Sequence, residues 1–279
     1  MILRELAILT KPRITLLGVA TAAVGLLLAP GDPPAALAAA TLVGILFLVG
    51  SANALNMLVE RDVDALMERT RNRPLPAGRL SPRAALWFGL GEAAVAVPLL
   101  ALFANATTGL LGAVALFLYV LVYTPLKRKT PLALLVGAVS GAMPPLMGWT
   151  AAAGRIEVGA LALFAVLLVW QVPHFLAIAL FRKADYAAAG LRVLPAVSGD
   201  AVTRKAIAVG VVVQVATTLL LVPHGVGGPA AARGAVVLGA IMLALAFFGL
   251  VTRGGEKWAR GVFVASIVYL PALFALLLV

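Results

Sequence analysis

The sequence predicts an all-α membrane protein, a polytopic bundle of about nine transmembrane helices, on three observations. Hydrophobic residues fill 63% of the 279 positions and charged residues only 12%, and the mean hydropathy is +1.08, well above a soluble domain with its near-even apolar share. Apolar runs long enough to cross a ~30 Å hydrocarbon core as helix recur along the whole chain. The basic residues gather in every second connection between those runs, as the positive-inside rule describes.

Taken in order, the first helix is expected at 14–28, closed by the turn Gly31-Asp32-Pro33-Pro34. The second, 36–59, is apolar on every face until Asn53. After an arginine-rich connection, 61–83, come a third at 84–104, which carries the lone acid Glu92, and a fourth at 109–123, with the turn Asn105 to Thr108 between them. The fifth and sixth are expected at 132–152 and 158–180, with Pro173 predicting a local kink. A polar connection, 182–205, precedes the last three helices at 205–222, 234–251 and 258–278. Runs such as 36–48 and 209–222 are apolar on both faces of any strand, which excludes a transmembrane barrel. The chain reads as a single domain, 1–279.

A net charge of +11 would point to nucleic acid in a soluble protein. Here it sets topology. All but Arg155 and Arg233 of the 22 Lys and Arg residues lie at the N-terminus or in the connections 61–83, 127–129, 182–205 and 253–260. Those parts are expected in the cytoplasm, the C-terminus outside, the first helix retained with no transit peptide, and no nucleic-acid partner. The absence of Cys excludes disulfides, thiolate metal sites and thiol catalysis.

The chemistry-bearing residues cluster at the cytoplasmic helix ends. Asn53, Asn56, Glu60 and Asp64 share a stripe on one helical face, while Asp62 points elsewhere. Oxygen donors one turn apart suit Mg²⁺, which keeps waters and binds one or two carboxylates together with substrate phosphate oxygens. A solvated, salt-bridged helix end is the plainer alternative. Next come Arg69, Arg71 and Arg73, stiffened by Pro74 and Pro76, whose guanidinium forks match a diphosphate; attraction to anionic lipid competes as an explanation. Lys127 and Arg128 form a second, less specific basic cluster. Gln171 and His174 are polar groups inside an apolar helix, where such groups usually face the bundle interior. His174 could ligate iron, position a substrate or act as a base, or be a satisfied structural histidine. Glu92 reads as a packing contact.

At these residues the chain resembles the UbiA-type intramembrane prenyltransferases. The acidic string 56–64, its extension RTRNRPLPAGRLSP, then YTPLKR, GAVSGAMPPLMGW, WQVPHFLAIALFRKADY and AGLRVLP match, in order and spacing, the branch of that family that farnesylates haem b. The resemblance implies an apolar cavity open toward the membrane, a bacterial cytoplasmic membrane with the site on its cytoplasmic side, and farnesyl diphosphate and haem b as substrates. It also implies a possible haem A synthase or oxidase-assembly partner. In the family logic Asn56, Glu60 and Asp64 hold Mg²⁺ on the diphosphate. The family's second acidic motif is depleted: His174 and Phe181 stand at two of its acidic positions and Asp185 survives, so Arg182 and Lys183 would bring positive charge to the diphosphate and free His174 and Gln171 for haem. Met57 stands where many relatives have Asp. The rivals are the same fold acting on a quinone precursor or chlorin, an alcohol phosphotransferase, and a transporter.

Overall fold

The structure, a computed structural model, describes residues 2–279. Two N-terminal helices, α1 (Ile2–Leu9) and α2 (Pro12–Leu28), meet at a 51° bend. Pro12 starts α2 because its missing N–H is unneeded in a first turn. Then follow α3 (Ala35–Val59) and a single turn, α4 (Arg61–Asp64). α5 (Pro82–Leu99) contains Pro98, and its last turn widens into a π-helical segment, Leu100–Ala104. Asn105 alone separates that segment from α6 (Ala106–Phe117): its extended backbone breaks the helix, and its side chain accepts from the N–H of Thr108 at 2.9 Å. A second π-helical segment, Leu118–Tyr123, leads into α7 (Thr124–Leu126). The remaining helices are α8 (Ala133–Ala153), α9 (Val158–Phe181), α10 (Lys183–Ala188), α11 (Leu194–Leu219), α12 (Pro229–Val251) and α13 (Glu256–Leu277).

Among the described residues, eight spans are long and apolar enough to cross a membrane, and the bent α1–α2 pair makes a ninth. The protein is a multi-pass membrane bundle. One connection differs from the expectation. Connection 182–205 is not a loop: it holds α10 and the start of α11, which begins at Leu194 rather than 205 and breaks at Gly199, a glycine with φ 81°. Those short helices are polar enough to escape a hydropathy reading. α9 runs as one helix with Pro173 inside it.

α3 packs on α5, α2 on α8, α8 on α9, and α9 on both α11 and α13. The α2–α8 pair explains the GAMPPLMG run. A methyl on Gly25 would strike the carbonyl of Pro145, and one on Gly148 the carbonyl of Ala22, so the two backbones approach as closely as small residues allow. We expect Gly148→Ala to destabilise the bundle by roughly 1–3 kcal/mol, because backbone must move to admit the methyl. Thermal unfolding in detergent checks this, an unchanged midpoint being the contrary result. At the opposite end of the bundle, Glu157 caps the approach to α9 and accepts from Trp149 and Arg155; these bonds hold its carboxyl below the usual range.

Two small cores fix the polar connections. Met57 is buried with Leu9, Leu75, Leu80 and Ala85, so it anchors the arginine-rich loop to α1 and α5. Val63 and Met67 pack on Ala189 and Leu191, joining that loop to the segment after α10. The two polar connections therefore fold against each other.

Candidate active site

Beneath these connections lies a cavity of about 690 Å³, the size of a small-ligand pocket. Its charged residues come from the start of α2, the end of α3 with α4 and the loop after it, the turn after α7, the end of α9, the segment after α10 and the start of α13, which successive helix reversals place at one face of the bundle. The remaining wall is apolar or aromatic and includes Ile14, Leu134, Phe175, Leu176 and Phe263. α2 and α13 both line it without being one of the main packed pairs.

Asn56, Glu60 and Asp64 all reach the cavity. α3 formally ends at Val59, yet the i→i−4 ladder continues across the junction: the N–H of Glu60 bonds Asn56 O at 2.9 Å, and that of Asp64 bonds Glu60 O at 2.8 Å. Helical periodicity is thus preserved and the three side chains stay on one face. Asn56, 2% exposed, donates to Glu60 Oε2 (3.0 Å) and Thr124 Oγ1 (3.1 Å) and accepts from Lys11 Nζ (2.9 Å). Glu60 pairs with Lys127 through its other oxygen. Asp64, 1% exposed, meets Arg73 Nη1 at 2.6 Å. Asn53 belongs elsewhere, donating to Thr10 O and Thr15 Oγ1 and so tying α3 to α2. Asp62 is exposed and pairs with Arg61.

The basic residues divide sharply. Arg69, Arg73, Lys127 and Arg182 line the cavity. Arg71 and Arg128 are exposed to its outside. Lys183 bonds Asp200 at 2.8 Å, and Asp185 lies 3.7 Å from Arg182 without lining the cavity. Lys11, Arg192 and Arg260 also line it, a role the sequence did not suggest. Lys11 sits in an N-terminal segment whose charge reads as topology, and only its bond to Asn56 reveals it.

The loop carrying Arg73 is held from several sides. Thr70 Oγ1 donates to Asp64 O, Arg79 bonds both Glu5 and Asn72 O, and Gly78 turns the chain at φ 69°. These restraints aim Arg73 inward.

Gln171 and His174 are buried beside the cavity, not in its lining. Gln171 donates to Ala138 O and Leu167 O. His174 Nδ1 lies 2.7 Å from Ser266 Oγ, and its ring stacks on Trp170 and packs on Phe263 and Phe175, both cavity-wall residues. With the haem substrate that the resemblance implies, His174→Ala is expected to leave the Soret band unchanged; a shifted band would make the imidazole an iron ligand. Glu92 packs against Gly50, where an added methyl would stand 2.8 Å from Oε1, and lies outside the cavity.

The model of the UbiA prenyltransferase family matches residues 18–267. The chain belongs to that family. Within it, the chain is similar to the protoheme IX farnesyltransferase of Sorangium cellulosum (strain So ce56), at 53% identity over 88% of each chain. It is 52% identical to that of Anaeromyxobacter sp. (strain Fw109-5), over 98% of this chain and 92% of the relative. The fold is shared with a solved digeranylgeranylglyceryl phosphate synthase (TM-score 0.84, 15% identity, 99% and 97% covered). It is shared too with a UbiA homolog from Archaeoglobus fulgidus bound to GPP and Mg²⁺ (TM-score 0.67, 18% identity, 99% and 100% covered). For a family member, the cavity's division into a charged end and an apolar wall fits a substrate with a diphosphate head and a hydrocarbon tail.

Proposed function

We infer that this chain is a prenyltransferase that moves the farnesyl group of farnesyl diphosphate onto a vinyl group of haem b, giving haem O. The observation that carries this is the near full-length likeness to several protoheme IX farnesyltransferases at about half identity. The charged and apolar parts of the cavity support that reading.

Arg73, Lys127, Arg69 and Lys11 would hold the diphosphate, and the apolar wall would hold the prenyl chain. As the allylic C–O bond breaks, negative charge builds on the departing diphosphate, and fixed cations in a poorly hydrated cavity stabilise that change. The allylic carbon then bonds the vinyl CH₂ of haem b. Water adds at the carbon next to the macrocycle and releases a proton, leaving the hydroxyethylfarnesyl side chain.

The donor set fits Mg²⁺: two carboxylates and an amide oxygen, all hard ligands, on one face beside the cations that would meet phosphate. Asn56, Glu60 and Asp64 would hold the ion, and when bound it supplies further positive charge to the leaving oxygens. The related A. fulgidus protein was solved with GPP and Mg²⁺, which supports the assignment. We place the site on the cytoplasmic side of a bacterial inner membrane, where the basic connections belong. A haem A synthase or oxidase-assembly partner would receive the apolar product within the bilayer.

The reading with another acceptor is separated by an acceptor panel. Protein in proteoliposomes, given farnesyl diphosphate with haem b, an aromatic quinone precursor or a chlorin, is expected to prenylate haem b alone. Prenylation of either other acceptor in preference would reject haem b.

A further inference from the structure

The diphosphate site uses the cations on the α3 side of the cavity; three more guanidinium groups line it from α9, α13 and the segment after α10. Arg182 and Arg260 are held by the same aromatic ring. Their guanidinium carbons lie 5.8 and 5.3 Å from the centroid of Phe181, close enough for cation–π attraction to hold both. Arg260 comes within 3.9 Å of Glu256, and Arg182 within 3.7 Å of Asp185, both beyond a hydrogen bond. Arg73 differs, being committed to Asp64 at 2.6 Å.

Charge sharpens the contrast. Glu60 and Asp64, the two carboxylates in the cavity wall, sit on the α3 side, and even without Lys11, whose pKa burial lowers to about 7, six basic side chains line the wall against them, an excess of four. That is more positive charge than one diphosphate ester brings negative. The wall around Arg182 and Arg260 is aromatic, with Phe181 edge-on to Phe263 at 5.6 Å.

We propose that Arg182 and Arg260, braced on Phe181, form a carboxylate subsite that takes the two propionates of the acceptor macrocycle. The assignment rests on haem b as acceptor. Haem carries its propionates side by side on one edge and its vinyl groups toward the other. Two guanidinium groups on one ring match the paired carboxylates, each able to bind bidentately. Anchoring the propionate edge on the α9–α13 wall, with the macrocycle against Phe263 and Phe175, turns the vinyl edge toward the α3 side. The farnesyl carbon to be attacked lies there, beside the diphosphate. The subsite accordingly orients the acceptor as well as attracting it. Arg182, expected from the sequence at the diphosphate, serves the other substrate.

The test uses full-length protein in nanodiscs with haem b and its dimethyl ester as paired acceptors. The wild type is expected to prefer haem b in kcat/KM by about tenfold or more, the scale of one charge-assisted hydrogen bond. Arg260→Gln should raise KM for haem b by about tenfold while KM for farnesyl diphosphate stays within about twofold. The double variant Arg182→Gln, Arg260→Gln should treat acid and ester alike, and Arg260→Lys should keep part of the preference, which separates charge from misfolding. Equal use of acid and ester by the wild type, or a rise confined to KM for farnesyl diphosphate, would overturn the subsite. Haem O from the wild type with variant preferences unchanged would overturn the subsite alone. No haem O from the wild type with either acceptor would overturn the functional reading and the subsite with it.

Discussion

Glu60→Gln and Asp64→Asn are each expected to lower haem O formation by about 10²–10³-fold, the loss seen when one preorganised charge-stabilising group is removed, with the protein still folded in membranes. Both substitutions keep size and shape. Each removes a hard anionic oxygen from the face where Asn56, Glu60 and Asp64 meet, and with it the ability to hold a dication beside the diphosphate. They also unbalance the local charge, because Lys127 and Arg73 lose their carboxylate partners. The effects should therefore differ in detail: Asp64→Asn removes a buried charge from a 2.6 Å pair and should cost stability as well. Turnover by reconstituted variants, read beside thermal midpoints, checks both. Near wild-type turnover by both would remove the carboxylates from the reaction.

Arg73→Ala is expected to be the most damaging change in the arginine-rich loop and Arg71→Ala among the mildest. Arg73 lies inside the cavity and neutralises Asp64, so its loss leaves a buried carboxylate uncompensated, at a cost of about 3–5 kcal/mol in stability. A sharp rise in KM for farnesyl diphosphate should accompany it. Arg71 points away from the cavity, and an exposed substitution of that kind shifts stability by about 0.5 kcal/mol or less. Arg73→Lys separates the two effects, since it keeps the charge while losing the planar fork. Titration of each variant with farnesyl diphosphate decides the matter; equal effects at 71 and 73 would contradict the geometry.

That contrast shows what the sequence could and could not convey. The 56, 60, 64 stripe was legible because helical periodicity runs through the α3–α4 junction, so spacing alone put the side chains together. Arg71 and Arg73 were not separable, because which one turns inward depends on the turn at Gly78 and on anchors at Glu5 and Asp64, far apart in sequence. Lys11 and Arg260 were hidden for a different reason. Each lies at the end of a helix, where basic residues are expected for topology, and only the meeting of helix ends brings them to the cavity. The spans themselves stood out through hydropathy, whereas α10 and the start of α11 carry too much polarity to do so. Met57 read as a missing ligand; its burial with Leu75 and Leu80 shows it anchoring the loop that delivers Arg73.

Mass spectrometry of haems extracted from cells that express this chain reads its product, haem O, without an intermediate assay. In a host lacking its own haem farnesylation, expression should yield haem b together with haem O, heavier by one farnesyl group and one hydroxyl group, and the Glu60→Gln variant should yield haem b alone. Haem b as the only species from cells with wild-type protein in their membranes would rule out haem farnesylation by this chain.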